Sequence, residues 1–273
     1  MIGIVHIHMT AGTTLASVMK RSHGTGHCDV INTDPSSDHL TPLEFHRMLS
    51  RWYPRLDSAN GHALRVYAEL DSVIGEVQWV TFLRDPIERT ASHYQYDVQR
   101  GGVDLPFEEW VTHAAVPDRQ TQTIAGPGAG ADEAIDMLAR FAFVGRSDRF
   151  DECLVMMQRQ LGLRDIRYRS KWAAPSNDIK RRLLADPDSV ERLRGVNQHD
   201  LRLWEHFETE VYPKQQAAYG PDLEEKLGAF QRRNARMTRF RQYAHPRYLA
   251  YVLKWRLGYR RWVRKVTGDS HAG

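Results

Sequence analysis

The chain has 273 residues, 41% of them hydrophobic, and a formal net charge of +4. This length allows one large α/β domain or two small ones, and we expect one domain with an appendage. Two cysteines, Cys28 and Cys153, exclude a disulfide framework and have no metal-ligand spacing, so we expect a reducing compartment and no metal. We expect no signal peptide, because the first residues read as a strand, and no membrane span, because no apolar run approaches ~18 residues. The sequence therefore predicts a cytoplasmic protein, peripheral to the inner membrane face at most.

The first predicted unit consists of a strand, a tight turn and a helix. The β-branched run at 2–7 indicates a buried strand, and residues 15–19 read as a helix. In the turn between them, HMTAGTT, Gly12 permits close approach to an anion, and Thr13 or Thr14 is expected to cap the helix. The free N–H groups of a first helical turn bind phosphate. Short turns of this kind are also common as pure structure, and the pattern GxxxxGK[ST] is absent.

The second predicted unit has the same form. Residues 77–83 read as a strand that runs into Arg84, and Asp85 and Glu88 are the cap and third position of a helix. Arg84 thus follows a strand and precedes a helix, where α/β sheets bind ligands. Ser92 lies further along that helix, and an arginine fork with a nearby hydroxyl suits a phosphate dianion. Alternatively, Arg84 pairs with Asp85 or binds a neighbouring carbonyl.

The last segment is basic and amphipathic. From residue 229 onward there are twelve Lys and Arg and one acid, against 26 basic and 33 acidic residues before it. We therefore divide the chain into an α/β domain, 1–225, and a basic helical extension, 226–273. Within 246–266 the apolar side chains form one helical stripe, which favours either an anionic membrane surface or packing on the body or another subunit. The stripe comprises Tyr248, Tyr251, Val252, Trp255, Tyr259, Trp262, Val263 and Val266.

The two turns and two later segments resemble a known family in their order. HIHMTAGTT followed by FLRDPIERTASHY is similar to the paired phosphate-binding elements of sulfotransferases that use 3′-phosphoadenosine 5′-phosphosulfate. The likeness is to the branch of the heparan sulfate 2-O-sulfotransferases and their bacterial relatives. FAFVG with RFDE, and NQHDL with LW, resemble the family's third strand and helix and its N-x-x-D segment. The resemblance spans roughly residues 2–212 and implies a P-loop-like parallel sheet flanked by helices.

The resemblance also implies a site and a reaction. The 5′-phosphate of the co-substrate would lie against the first turn, and the 3′-phosphate against Arg84 and Ser92. Asn60-Gly61-His62 is similar to the Gly-His of the branch's acceptor site, so His62 is expected to take the proton of an acceptor hydroxyl on a saccharide or glycolipid. Residues 118–122 depart from the family pattern and receive no role. The residues of the first turn are Thr10, Ala11, Gly12, Thr13 and Thr14.

Met9 stands where the family has a lysine that neutralises the oxygen bridging sulfur and phosphorus. Methionine has neither charge nor donor, so binding is expected to survive while turnover falls by about 10²–10³-fold. Three explanations stay open. One is a substitution introduced to trap a complex, another is a natural enzyme in which Lys20, Arg84 or His8 supplies the charge, and the third is a binding protein without catalysis.

The sequence thus predicts a sulfotransferase that acts on a hydroxyl acceptor, either as a monomer or as a homo-oligomer. Nucleic acid is not expected as a partner, because no recognition motif accompanies the basic charge. The other hypotheses are a catalytically silent nucleotide-binding or membrane-associated protein and a kinase of small metabolites. The kinase is disfavoured because the Lys-[ST] pair and its magnesium ligand are missing.

Overall fold

The computed structural model describes residues 1–32, 37–170 and 176–267, the last three of these through the backbone only. Five parallel strands form one sheet in the order β2-β3-β1-β4-β5. Because β1 lies between β3 and β4, the loops that follow these three strands emerge side by side at one edge of the sheet. The strands are β1 (Ile2–Val5), β2 (His27–Asp29), β3 (Ser58–Gly61), β4 (Gln78–Leu83) and β5 (Phe141–Arg146).

Helices flank this sheet, which confirms the predicted α/β class with a parallel sheet. Turns of π-helix at Asp97–Gly101, Phe207–Val211 and Trp255–Tyr259 extend or join some of them. In the described ranges the helices are α1 (Gly12–His23), α2 (Pro42–Trp52), α3 (Asp71–Ile74), α4 (Pro86–Tyr96), α5 (Phe107–His113), α6 (Arg119–Ala125), α7 (Ala131–Leu138), α8 (Phe150–Leu161), α9 (Asp178–Ala185), α10 (Pro187–Gly195), α11 (Gln198–His206), α12 (Tyr212–Tyr219), α13 (Leu223–Asn234), α14 (Arg239–Tyr243), α15 (Pro246–Lys254) and α16 (Arg260–Thr267).

The strands form because their apolar residues are covered on both faces, as is usual for parallel sheets. All four residues of β1 are buried, and so are the last five of β4. One apolar core joins β1, β4 and β5 to α1 and α8, and a second lies beside β2 and β3. The site-bearing edge is therefore built on the most buried strands of the protein.

The two predicted strand-turn-helix units are present, with one correction. Asp85 caps α4, since its Oδ1 accepts from the Glu88 amide at 2.8 Å, as predicted. The first helix instead begins at Gly12, and neither Thr13 nor Thr14 caps it. Its N-cap is Ala11 in the left-handed conformation, without a side-chain cap hydrogen bond. The prediction of a threonine cap was wrong because α1 begins at Gly12, so both threonines lie within its first turn and not at the N-cap position.

The C-terminal segment packs on the sheet domain. Residue 226 falls inside α13, and Phe230 of this helix belongs to the first apolar core. In the predicted stripe, Tyr248, Tyr251, Tyr259 and Val263 are buried, while the Val266 side chain lies outside the described residues. The stripe therefore faces the body, which was one of the two predicted alternatives. No helix in the described ranges has both the length and the apolar character to cross a membrane.

Candidate active site

The turn after β1 is a tight loop that leaves several backbone donors unused. Met9 and Ala11 have φ values of 67° and 68°, a conformation that costs a residue with a side chain about 1 kcal/mol or more. The Thr10 hydroxyl donates to the Ile7 carbonyl at 3.0 Å, so this threonine offers only its amide to a ligand. Within the described ranges, the amides of residues 9–13 donate to no protein acceptor. Five consecutive N–H groups at the start of α1 thus remain for an anion.

Gly12 is required by a neighbour inside the protein. A Cβ built on Gly12 would overlap the imidazole of His6. Any other residue here would displace this ring from its place beneath the loop. The glycine that sequence reasoning linked to anion approach therefore also accommodates a histidine.

Four histidines line this edge of the sheet as a column of rings. His62, which follows β3, stacks between His6 and His8, with ring centroids 4.0 Å and 3.9 Å apart. His8 in turn lies 6.2 Å from the ring of His93 on α4. The loops after β1 and β3 and one face of α4 thus meet at the predicted base. We call His6, His62, His8 and His93 the histidine column.

The histidine column is held in the neutral form. Burial lowers the pKa of His6 to about 3 and that of His8 to about 2, and it also lowers the pKa of His62 and His93. Nδ1 of His62 lies 2.8 Å from the His6 carbonyl oxygen, which can only accept, so Nδ1 carries the proton. Nε2 of His62 then bears the lone pair. Although its ring is stacked between His6 and His8, the His62 side chain keeps contact with solvent, so this nitrogen suits a proton acceptor for an incoming hydroxyl.

Arg84 joins the two predicted anion-binding turns. Its Nη1 donates to the Met9 carbonyl at 3.2 Å, and its Nη2 lies 3.2 Å from Glu88. Lys180 also binds Glu88, at 2.7 Å, and neutralises part of its charge. Arg84 therefore binds a carbonyl, as one of the two alternatives predicted, but this carbonyl belongs to the first turn. Glu88, and not Asp85, is the carboxylate partner.

Three further arginines surround the histidine column, and sequence reasoning assigned none of them. Arg119, at the start of α6, lowers the pKa of His8, His62 and His93 through its charge. Arg65 donates to the His62 carbonyl and, at 3.1 Å, to the Leu64 carbonyl. The charges of Arg65 and Arg119 also act on each other, since Arg65 lowers the pKa of Arg119. In the described ranges neither Arg65 nor Arg119 forms an ion pair, so this edge is strongly cationic.

Arg89, the third of these arginines, is almost fully buried on α4. Its Nη2 donates to the Thr90 hydroxyl at 2.8 Å, while Nε and Nη1 meet no hydrogen-bond partner in the described ranges. Burial lowers the pKa of this guanidinium to about 10, and the carboxylate of Asp200 acts in the opposite direction. A buried cation with two unused donors is a source of positive potential behind the site.

The N-termini of α6 and α11 are tied together by an exchange of caps. Asp200, in α11, accepts from the amides of Gln120 and Thr121 at 3.0 Å and 2.7 Å. Asp118, before α6, accepts from the Asp200 amide at 2.9 Å. The Gln120 side chain then exchanges two hydrogen bonds with the backbone of Arg84, at 3.0 Å and 2.9 Å. This network fixes Arg84 and the start of α6 relative to each other.

Other residues singled out from the sequence are placed differently. Ser92 is buried on α4, one residue before His93. Lys20 pairs with Asp29, so its charge is shared with a carboxylate, and a contribution of Lys20 at the first turn stays a prediction. His23 and His27 both contact the Ser58 hydroxyl, at 2.7 Å and 2.8 Å. These two histidines, which are close to Cys28 in the sequence, thus have a hydrogen-bond partner in the described ranges.

Metal ligands and cavities in the described ranges also bear on the site. No group of three His, Cys, Asp or Glu residues able to hold a metal ion occurs there. A cavity of about 670 Å³ opens beside β5, between α7, α8 and α12, and contains none of the residues predicted for the site. Its lining is mainly apolar, and it lies away from the edge where the loops after β1, β3 and β4 meet.

No protein-family model matches the chain, and no curated protein matches it.

Proposed function

We propose that the protein transfers a sulfuryl group from 3′-phosphoadenosine 5′-phosphosulfate to an acceptor hydroxyl, with a P-loop-like arrangement of the sheet. The observation that carries the proposal is a juxtaposition at one sheet edge. Unbonded amides of residues 9–13, the Arg84 guanidinium and the unprotonated nitrogen of His62 lie on three adjacent loops. Sulfuryl transfer needs an anion cradle, a cation and a base in this proximity.

The nucleotide end of the proposal rests on the two turns. The amides of 9–13, with the dipole of α1 behind them, suit the 5′-phosphate. The 3′-phosphate would lie against Arg84 and the α4 segment that carries Ser92. In that arrangement Arg84 would exchange part of its contact with Glu88 for the phosphate, while Lys180 retains Glu88. Ligands of open α/β proteins bind outside the carboxyl ends of the parallel strands, which supports this orientation.

The transfer itself would use His62 as the base and arginines as the cations. His62 Nε2 accepts the proton of the acceptor hydroxyl as the hydroxyl oxygen bonds to sulfur and the S–O bond to the nucleotide breaks. Negative charge then grows on the departing phosphate. Met9 offers nothing to that charge through its side chain, but Arg84 already contacts its carbonyl, and Arg119 stands near the same histidines. Neutral His8 is a hydrogen-bonding group here and not a source of charge in the free protein.

The acceptor class is proposed to be a saccharide or glycolipid, on the strength of the sequence resemblance. The cationic surroundings of His62, with Arg65 and Arg119 nearby, favour an acceptor that carries carboxylate or sulfate groups of its own. The proposal also includes a cytoplasmic location and no required metal.

Calorimetric titration with adenosine 3′,5′-bisphosphate tests the proposal, with the 2′,5′ isomer as matched ligand. The unmodified chain and Met9→Lys are both expected to bind the 3′,5′ form more tightly. A sulfate-transfer assay on saccharide acceptors follows, and transfer is expected to be faster in the lysine variant by about 10²–10³-fold. Absence of binding in both would overturn the proposal. Binding without transfer in both would favour the non-catalytic nucleotide-binding protein.

A further inference from the structure

Two adjoining cavities lie at the other end of α1, away from the candidate active site. Their volumes are about 370 Å³ and 290 Å³, and they share Arg167, Arg233 and His245. Arg21, near the C-terminus of α1, lines the second cavity. Since Arg21 is nine residues beyond Gly12, a rise of 1.5 Å per residue separates these cavities from the first turn by about 14 Å along the helix.

The charged residues that line the two cavities are almost all cationic. Among the described residues it contains seven arginines and one carboxylate, Asp165. Asp165 binds Arg21 at 2.5 Å and Arg167 at 3.0 Å, so its charge is already used. The remaining five form no ion pair with a described carboxylate. These five are Arg164, Arg233, Arg236, Arg241 and Arg247.

Helix ends do not account for this excess of charge. Arg21 and Arg233 lie in the last turns of α1 and α13, where a helix C-terminus carries about half a negative charge. Two such ends offset about one of the roughly six net positive charges. Backbone carbonyls accept from Arg233, Arg241 and Arg247, but they carry no net charge. An unneutralised cationic cavity of this size is expected to attract a multivalent anion.

Two residues that line these cavities also carry buried polar atoms without a partner. Arg21 is 2% exposed, and its Nε has no hydrogen-bond partner in the described ranges, nor has the buried Nδ1 of His245. The side chains of Arg164 and Arg236 are exposed and form no hydrogen bond or ion pair in the described ranges. These guanidinium groups, which have no carboxylate partner, are available to an anion beside the buried Arg21. Guanidinium groups bind phosphate oxygens in pairs, which makes phosphate the matching chemistry.

We infer that the double cavity binds a molecule that carries two or more phosphate groups, at a site separate from the proposed nucleotide site. The two cavities share Arg167, Arg233 and His245, so phosphate groups of one molecule can occupy both. Phe240 borders the second cavity and is 80% exposed. The phosphates belong either to a free solute or to a lipid headgroup whose acyl chains lie beyond this ring. The C-terminal segment thus supplies most of the arginines of this site, while its apolar stripe faces the body.

Calorimetry on the full chain tests the inference, with inositol hexakisphosphate as the probe in about 0.15 M salt. Saturating adenosine 3′,5′-bisphosphate is present throughout, so that the proposed nucleotide site does not take the probe. We expect the double variant Arg164→Ala/Arg236→Ala to bind the probe at least tenfold more weakly. The matched control is Arg192→Ala/Arg194→Ala, which removes the same charge from α10, a helix that lines neither cavity.

Unchanged urea midpoints in both double variants would establish that folding is intact. Equal loss of affinity in both, or no binding by the unmodified chain, would overturn the inference. Vesicles then separate the two sources of phosphate. Sedimentation with phosphatidylinositol 4,5-bisphosphate vesicles that is lost in Arg164→Ala/Arg236→Ala identifies a headgroup. Binding of the free probe alone identifies a solute. Equal sedimentation with phosphatidylserine vesicles of the same charge would exclude the lipid headgroup as the source, since membrane charge alone would then explain the sedimentation.

Discussion

The guanidinium of Arg84 lies 3.2 Å from the carbonyl oxygen of Met9. This contact joins the turn after β1 to the turn after β4 through the backbone of residue 9, so it does not depend on the side chain there. A lysine or a methionine at position 9 would leave the contact intact. The geometry of the cradle is therefore separable from the charge at position 9.

Arg84→Ala should weaken binding of adenosine 3′,5′-bisphosphate by about tenfold or more, because a charged hydrogen bond is worth about 1.5–3 kcal/mol. Calorimetry measures this directly. Lys180→Ala is the matched variant, since it removes a cation from the same Glu88 without touching the first turn. Equal affinities in the unmodified chain and Arg84→Ala would contradict the two-turn model.

His62→Gln should lower sulfate transfer by about 10²–10⁴-fold, the usual contribution of a general base. The glutamine still occupies the space between the rings of His6 and His8 but cannot take a proton. Nucleotide affinity should be unchanged. His113→Gln, on the exposed end of α5, serves as the control. Full transfer by His62→Gln would remove this histidine from the mechanism.

Stability should fall with acid because of the histidine column. The pKa values of His6 and His8 are about 3 and about 2 in the folded chain, below the 6.5 of a free histidine. At a pH between the folded values and 6.5, the unfolded chain therefore binds more protons than the folded chain. The contribution of these histidines to the free energy of unfolding is full above pH 6.5 and declines as the pH falls below 6.5. Each group contributes a slope of up to about 1.4 kcal/mol per pH unit. Urea unfolding at several pH values should show a shallower slope for His8→Gln, and an unchanged slope would refute the assignment.

Asp200→Ala should destabilise the fold by about 3 kcal/mol. The change removes the acceptor of two buried amides and the carboxylate that acts on buried Arg89. Asp132→Ala, at an exposed pair with Arg202, should cost less than about 0.5 kcal/mol. The urea midpoints of the two variants give the comparison. Similar midpoints would mean that the exchange of caps between α6 and α11 adds little to the free energy of unfolding.

Local patterns predicted the parts of the fold that depend on local interactions. The strand run at 77–83 and the cap at Asp85 were predictable because β-branched runs and N-cap chemistry act within a few residues. The left-handed Ala11 was not, because nothing in its own side chain favours that conformation. The turn is set by the His6 ring against Gly12.

The candidate site was predictable only where a residue directly follows a strand. Arg84 and His62 do so, and both lie at the expected edge. Arg119 and Gln120 reach the site because Asp200, 80 positions later, fixes the start of α6. No sequence spacing encodes a contact of that range. The histidine column likewise needs the order of three strands, which the sequence alone does not provide.

The contact between Tyr251 and Asp29, at 2.7 Å, joins positions 222 residues apart. During synthesis on the ribosome, β2 and β3 therefore emerge long before Tyr251, and long before Tyr259 and Val263, which complete the core beside them. Until then, this side of the nascent chain exposes apolar surface that a chaperone would have to shield. The second apolar core is therefore complete only after the C-terminal helices have been synthesised.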